Sequence, residues 1–254
     1  MSLLHGKKGV VMGVANDHSI AWGISKKLSD EGAELCFTYQ GDSLHRRVKP
    51  LANSIKSNFL IECDVLKEGS VKKSFDEIRN HWGEIDFVLH SIAFSEKEEL
   101  KGKYLNTSRN NFSNTMLISC FSFTEVAHEA EKLMKNGGSL LTLTYDGSQK
   151  YIRNYNVMGV AKAALESSVR YLAADLGPSN IRVNALSAGP MKTLAMAGIS
   201  GGKDMMKWSE KNSLMNRNID LEEVGKSGLY LLSNLSSGVT GETPPQSFMP
   251  AAIN

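Results

Sequence analysis

Cysteine is scarce in this chain, and neither sign of charge is in excess. Cys36, Cys63 and Cys120 are far apart and form no C-x-x-C pair. We therefore expect neither a disulfide framework nor a zinc or other metal site. The 29 basic and 27 acidic residues give a net charge of +2. Because they form no sustained basic stripe, nucleic acid is not an expected partner.

Long apolar runs are also missing from the sequence. A membrane helix needs roughly 18 uninterrupted apolar residues, and no segment approaches that length. The N-terminus has no apolar core or cleavage site of a signal peptide. We therefore expect a protein of the cytoplasm that has no membrane partner.

Short apolar segments alternate with longer helical patterns along the whole chain. Such segments, rich in Val, Ile, Leu and Phe, are typical of parallel strands covered by helices on both faces. The alternation predicts an α/β fold, a single-domain, Rossmann-like, doubly wound parallel sheet flanked by helices, over residues 1–254. The predicted strands are 9–12, 33–39, 59–65, 87–92, 139–145 and 181–186, and a long amphipathic helix is predicted over 155–176.

The turn after the first predicted strand lacks the three-glycine fingerprint of dinucleotide-binding folds. Gly13 permits a tight turn and the close approach of a pyrophosphate, and Ser19 is a suitable N-cap. Gly23 would let the following helix pack closely on the strand. The helix N-terminus near Ile20 favours an anion, although an ordinary capped helix explains this loop equally well.

Residues at the ends of the later strands support a nucleotide site, because ligands bind at the carboxyl ends of parallel strands. Gln40 offers an uncharged amide that can bond a ribose hydroxyl but cannot neutralise a 2′-phosphate. NADH is therefore the expected cofactor, and NADPH is less favoured. Arg46 and Arg47 could reverse this preference, although a solvated helix face is their more ordinary role. The other strand-end positions are Asp64, Val65, Ser91, Ile92 and Ala93.

Two tyrosines and a lysine occur close together after the fifth predicted strand. Tyr155 and Lys162 are seven residues apart, which places them within about 20° on one face of a helix. A cation beside a phenol favours its ionised or strongly hydrogen-bonding form, and the lysine can hold a nicotinamide ribose hydroxyl. Tyr145 closes the strand. A packed tyrosine with a satisfied hydroxyl is the ordinary alternative.

This tyrosine and lysine pattern differs from that of typical short-chain dehydrogenases, in which the two residues are four apart. Met158 occupies that position here. The spacing Tyr-x-x-Met-x-x-x-Lys, with a second tyrosine ten residues earlier, resembles the divergent branch of the short-chain dehydrogenase/reductase family that contains the bacterial enoyl-acyl-carrier-protein reductases. The resemblance extends over residues 4–241.

The resemblance implies NADH-dependent reduction of the trans-2 double bond of fatty acyl thioesters in type II fatty-acid synthesis. It implies an acyl carrier protein that bears the substrate, and a homotetramer. Tyr145 and Tyr155 become the catalytic pair, with Lys162 chiefly holding the cofactor. The implied cofactor contacts are Gly13, Ser19, Ile20, Gln40, Asp64, Val65, Ile92, Lys162, Met191, Lys192, Thr193, Leu194 and Ala195.

A small-residue, apolar segment after residue 190 is typical of a mobile flap over a substrate, although an ordinary helix explains it equally well. Met196, Ala197, Ile199 and Met205 would form an adaptable wall for an acyl chain. Ser95 is placed by the resemblance at a backbone contact to substrate, where alanine is usual. Lys203, Lys207, Lys211 and Arg217 follow the flap and predict a docking face for an acidic carrier, although such runs are usually only solvated.

Two departures from the family pattern stand out. Arg153 replaces a proline, and the segment from Thr243 replaces an expected strand. Adjacent Pro244 and Pro245 cannot sustain a central ladder, so this last strand and the subunit contact implied for it are in question. Two alternatives stay open: a typical short-chain carbonyl reductase, such as a 3-oxoacyl reductase, and a nicotinamide-binding paralogue without turnover.

Overall fold

A computed structural model describes residues 2–193 and 202–245, and of residues 202–205 only the helical backbone. Six strands form one parallel sheet in the order β3-β2-β1-β4-β5-β6. They are β1 Lys8–Met12, β2 Glu34–Tyr39, β3 Phe59–Glu62, β4 Phe87–His90, β5 Gly138–Thr144 and β6 Ile181–Ser187. The sheet confirms the predicted Rossmann-like fold class. Since β1 lies between β2 and β4, the strand order reverses there, and ligands bind at such a point in open α/β sheets.

Helices cover both faces of the sheet. They are α1 Ile20–Asp30, α2 Gly41–Ser54, α3 Ser70–Trp82, α4 Arg109–Met116, α5 Ser122–Glu131, α6 Asn156–Leu176, α7 Gly202–Asn212 and α8 Leu221–Leu232. A π-helical turn, Leu117–Phe121, joins α4 to α5. Neighbouring strand residues point to opposite faces, so Val10 belongs to one core cluster with Phe75 of α3 and Leu165 of α6. Val11 belongs to the other, with Ile24 of α1.

Some strands end earlier than the sequence predicted. β3 ends at Glu62 and β4 at His90, whereas the apolar patterns continue to residues 65 and 92. Val65 and Ile92 still pack against the core from the loops, so apolarity persists after the ladder has stopped. After β3 the chain turns, because the amide of Leu66 donates to Oδ1 of Asp64 at 3.0 Å.

The long helix begins one residue later than predicted. Tyr155 occupies the N-cap position, and α6 starts at Asn156. Asn154 and Asn156 have φ of 61° and 37°, a region that asparagine tolerates better than most residues. Tyr155 is therefore presented by a turn before the helix, and the helical spacing to Lys162 does not explain its position.

Gly23 serves a contact other than the one expected. A Cβ at Gly23 would lie 2.7 Å from the carbonyl oxygen of Leu221, and one at Gly228 would lie 2.7 Å from the side chain of Ile24. Both glycines therefore allow α1 to pack closely on α8. The expectation that Gly23 packs the helix on the strand was wrong.

The proline-containing segment runs beside β6 as far as Pro245. The amide of Gly241 donates to the carbonyl of Val183 at 2.7 Å, and the amide of Ser187 donates to the carbonyl of Pro244 at 3.2 Å. Ser187 and Pro245 form an isolated parallel bridge. Proline has no N–H, so at Pro244 and Pro245 the segment can pair only through its carbonyls. Residues 246–254 lie outside the described residues.

In residues 2–193 and 202–245, no helix combines the length and the apolarity needed to cross a bilayer.

Candidate active site

A cavity of about 560 Å³ opens at the carboxyl ends of β1, β4, β5 and β6. Its walls come from the loop after β1, the segment after β4, the end of β5, the start of α6 and the loop after β6. Most of the described residues predicted for the site line this cavity. They are Gly13, Ser19, Ile20, Ser91, Ile92, Ala93, Ser95, Tyr145, Tyr155, Lys162, Met191 and Thr193.

The other predicted residues do not line this cavity or are not described. Gln40 is exposed at the N-cap of α2, Val65 packs against the core, and Lys192 is exposed. Asp64 is half-buried in the turn after β3. Leu194, Ala195, Met196, Ala197 and Ile199 lie outside the described residues, and Met205 is described only as part of the backbone of α7.

The loop between β1 and α1 is closed by Ser19. Its Oγ accepts from the amides of Ala15 and Asn16 at 3.0 and 3.1 Å, and it does not cap the amides of α1. Ser19 therefore holds the N-cap position as predicted but with different hydrogen bonds. The first amides of α1 stay available for an anion. Gly13 has φ +96°, and a Cβ there would lie 1.9 Å from the carbonyl oxygen of Ser91.

The segment after β4 is fixed by polar side chains of α4 and the π-helical turn. Oγ of Ser119 accepts from the amide of Phe94 at 3.0 Å and donates to its carbonyl at 3.1 Å. Oδ1 of Asn111 accepts from Oγ of Ser95 at 3.2 Å and from the amide of Glu96 at 3.0 Å. These contacts hold Ser95 at the cavity wall. Asn111 and Ser119 were not predicted from the sequence, because a single polar residue in an amphipathic helix belongs to no motif.

His90 joins the strands beneath the cavity. Its Nε2 lies 2.9 Å from Oγ of Ser122, and its Nδ1 lies 3.2 Å from Oγ1 of Thr142. Ser122 donates its own proton to the carbonyl of Ile118, so Nε2 must carry the histidine proton. Burial lowers the pKa of His90 to about 3. The ring is therefore a neutral link between β4, β5 and α5.

Tyr145 and Tyr155 meet edge to face at one side of the cavity. Their ring centroids are 5.4 Å apart and the rings are inclined by 75°, a favourable aromatic geometry. Gly147 lies against the second ring, because a Cβ there would be 2.4 Å from Cδ1 of Tyr155. The turn after β5 thus determines where the ring of Tyr155 can lie.

Both phenols keep their protons at neutral pH. Burial, followed by the charges of Tyr145 and Glu166, raises the pKa of Tyr155 above its ordinary value. Burial and Asp146 raise the pKa of Tyr145 to about 12. The ionised form expected for Tyr155 is therefore not favoured, whereas a strongly hydrogen-bonding phenol, the other form that was expected, stays a prediction. Within the described residues the Tyr155 hydroxyl forms no hydrogen bond, so it can donate to a ligand.

Lys162 is buried at the cavity wall and anchored to β5. Its Nζ donates to the carbonyl of Leu143 at 2.7 Å. Burial lowers the pKa of the ammonium to about 8, although Cys120 and Glu166 act in the opposite direction. An ammonium has three donors, so the bond to Leu143 leaves others for a ligand in the cavity.

The fold and this site together define a Rossmann-type oxidoreductase of the short-chain dehydrogenase/reductase kind, with a tyrosine and a lysine at the carboxyl edge of a doubly wound sheet. A family profile described as enoyl-(acyl carrier protein) reductase matches residues 13–245. This chain therefore belongs to the enoyl-acyl-carrier-protein reductase family.

Individual relatives agree with this assignment. Enoyl-[acyl-carrier-protein] reductase [NADH] 2 of Rhizobium meliloti is 62% identical over 240 residues, which are 94% of this chain and 90% of that protein. The crystal structure of FabI from Candidatus Liberibacter asiaticus matches with a TM-score of 0.95 and 55% identity, covering 97% of this chain and 96% of the other. An Anaplasma phagocytophilum enoyl-(acyl-carrier-protein) reductase in complex with NAD matches with a TM-score of 0.93 and 53% identity over 96% and 93% of the two chains.

Proposed function

We propose that this chain reduces the trans-2 double bond of fatty enoyl thioesters carried on acyl carrier protein, with NADH as the reductant, in type II fatty-acid synthesis. The observation that carries the proposal is that the protonated phenol of Tyr155 and the ammonium of Lys162 line one cavity beside the N-terminus of α1. The relatives named as NADH-dependent reductases support it.

The residues around the cavity fit a nicotinamide dinucleotide. The first amides of α1, left open by Ser19, would receive the pyrophosphate. The free donors of Lys162 would hold the nicotinamide ribose. Gln40 is exposed at the N-cap of α2, and Asp42 follows in its first turn. A 2′-phosphate near Asp42 would meet a like charge, so these residues favour NADH over NADPH.

When bound, the nicotinamide would supply a hydride to C3 of the enoyl thioester, and a proton from water would later complete the reduction at C2. Negative charge then develops on the thioester oxygen, where a donor is needed. Tyr155 donates its phenolic hydrogen bond to that oxygen, and such a donor contributes roughly 3 kcal/mol to transition-state stabilisation. Tyr145 supports the ring of Tyr155 and shapes the substrate site, while Lys162 holds the cofactor in place.

Oxidation of NADH followed by absorbance tests this function. We expect turnover with crotonyl thioester and little with acetoacetyl thioester. Turnover with acetoacetyl thioester alone would instead identify a carbonyl reductase. Binding of NADH without oxidation by enoyl thioesters of any length would identify a paralogue without turnover.

The acidic carrier protein is proposed to dock on α7. Lys207 and Lys211 are exposed one turn apart, next to the half-exposed Trp208. Arg217 no longer belongs to the set, because its guanidinium is held by both carboxylate oxygens of Glu223 at 2.5 and 2.8 Å. The side chain of Lys203 is outside the described atoms.

Charge reversal tests this docking surface. We expect Lys207→Glu with Lys211→Glu to raise KM for the carrier-linked substrate several-fold at low salt, with little effect on crotonyl-CoA. Lys73→Glu, an exposed change on α3, is the matched control. An unchanged salt dependence of carrier-linked turnover would contradict the docking site.

We further propose a homotetramer, located in the cytoplasm. Exposed apolar side chains on the π-helical turn and α6 support self-association: Phe121 is 53% and Tyr171 74% exposed, and covering them would remove apolar surface from water. Light scattering after size-exclusion chromatography should show a tetramer, and Tyr171→Glu with Phe121→Glu should shift it to a smaller species. Cell fractionation tests the location.

A further inference from the structure

Glu166 is a buried carboxylate beside the tyrosine pair, and only 7% of the residue is exposed. Its Oε1 accepts from Oγ1 of Thr144 at 2.6 Å and from Oγ of Ser148 at 2.5 Å. These two hydroxyl residues lie on either side of Tyr145 in the chain. The carboxylate therefore bridges both ends of the turn that carries this tyrosine.

One turn before Glu166, α6 also contacts the end of β5 through Lys162. Lys162 donates to the carbonyl of Leu143, and Glu166 receives the hydroxyl of the next residue, Thr144. Burying a carboxylate costs free energy unless hydrogen bonds compensate it. Burying an apolar residue at this position would cost less free energy. What the carboxylate adds is a pair of directional hydrogen bonds, to Thr144 and Ser148.

Movement of this turn would reach the other tyrosine as well. Gly147 lies within the turn, against the ring of Tyr155, and a Cβ at Gly159 of α6 would lie 2.6 Å from the carbonyl oxygen of Gly147. The turn is thus enclosed between the ring and α6. If it shifts, Tyr145 and Tyr155 shift together.

We propose that Glu166 is a positioning residue: through Thr144 and Ser148 it fixes the turn that carries Tyr145 and supports the ring of Tyr155, so that both phenols stay in the reactive geometry. This inference rests on the role given above to Tyr155. Glu166 touches neither substrate nor cofactor in this account. It acts through the turn.

Steady-state kinetics with NADH and crotonyl thioester test the proposal. We expect Glu166→Ala to lower kcat roughly ten-fold or more, because small misplacements of reacting groups are costly. Glu166 also raises the pKa of Lys162, so KM for NADH is measured at about pH 6, where the ammonium persists without Glu166. It should change less than about two-fold, since the bond of Lys162 to Leu143 remains. Glu166→Gln, which keeps an acceptor at Oε1, should recover most of kcat.

A double-mutant cycle separates positioning from general loss of structure. If Glu166 acts through Ser148, Glu166→Ala with Ser148→Ala should be no slower than Glu166→Ala alone. Should Glu166→Ala fail to fold, Ser148→Ala with Thr144→Val removes both bonds to Oε1 and leaves only the 3.5 Å contact of Gln149 with Oε2. This variant should lower kcat in the same way, with KM for NADH retained.

Glu129 provides the matched control. It lies on α5, is similarly buried at 5% exposure, and is paired with Lys132 just after that helix. It does not line the cavity. Glu129→Ala should leave kcat unchanged, whatever its effect on the unfolding temperature. If Glu166→Ala keeps the wild-type kcat, or if the two losses add in the cycle, the proposal for Glu166 is overturned. The proposed function then still stands, provided that the wild-type chain turns over. Absence of turnover in the wild-type chain would overturn both.

Discussion

Tyr155 must keep its proton to serve as a donor, and its surroundings ensure that it does. Burial and nearby negative charge raise its pKa, so the phenol is protonated at neutral pH. Lys162 is directed instead to the carbonyl of Leu143. The two residues therefore have separate roles. The tyrosine donates a hydrogen bond to the thioester oxygen as negative charge develops there, and the lysine holds the cofactor.

The pH dependence of cofactor use should report the lysine. Its folded pKa lies near 8, below the ordinary value of 10.5, so the ammonium is present below pH 8 and is lost above it. We expect kcat/KM for NADH to fall as pH rises through about 8, because this parameter reports groups of the free enzyme. Folding stability has the opposite sign: between these two pKa values the unfolded chain binds more protons, so this group makes stability rise with pH.

Lys162→Arg is the control for this profile, since a guanidinium stays charged across the range. Its absolute activity should be lower, but the fall near pH 8 should be missing. A profile of unchanged shape in this variant would show that another group is responsible.

Gly147 is the residue whose substitution should affect Tyr155 most directly. An added Cβ would lie 2.4 Å from the ring, so Gly147→Ala must displace the ring or the turn. We expect kcat with crotonyl thioester to fall roughly ten-fold or more. Gly238→Ala, where an added Cβ meets nothing within 4 Å, should behave as wild type. Equal activity of the two variants would contradict the role of the turn.

The secondary structure elements were largely predictable, and their ends were not. Apolar segments placed all six strands of the sheet, because strands buried on both faces must be apolar along their length. The same rule failed at residues 65 and 92, because Val65 and Ile92 pack on the core from loops. Tyr155 was placed in the helix, whereas two asparagines of positive φ put it in the preceding turn.

Parts of the site were equally hard to read from the sequence. The two tyrosines and the lysine could be predicted, because their spacing along the chain is a recognisable pattern. Glu166, Asn111 and Ser119 act through contacts between elements distant in sequence. Glu166 did have a local signal, since it is a charged residue next to the apolar stripe of α6 and one turn after Lys162.

The crossing of α1 and α8 depends on glycine at close contacts. At Gly228 an added Cβ would lie 2.7 Å from Ile24, and at Gly23 it would meet backbone. We expect Gly228→Ala to lower the free energy of unfolding by about 1–3 kcal/mol through overpacking, and Gly23→Ala to lower it at least as much. Urea denaturation measures both, with Gly238→Ala again as the control. A change below about 0.5 kcal/mol at Gly23 would contradict the close crossing.

For the whole molecule, one domain over residues 1–254 stays a prediction. The sheet orders its strands so that β1, β4, β5 and β6 all contribute to one cavity, and the segment Gly241 to Pro245 adds to the edge at β6. A single domain should unfold in one cooperative step, as judged by coincident fluorescence and circular dichroism transitions. Two separated transitions would indicate two units.

The most direct test of the account is the rate of hydride transfer in Tyr155→Phe. It is measured in a single turnover, with saturating NADH and crotonyl thioester. Removing the hydroxyl while keeping the ring should slow this step about 10²–10³-fold, as for the loss of one donor to an oxyanion, while the Kd of NADH stays close to wild type. A Tyr155→Phe enzyme that transfers hydride at the wild-type rate would contradict the proposal that this phenol stabilises the charge on the thioester oxygen.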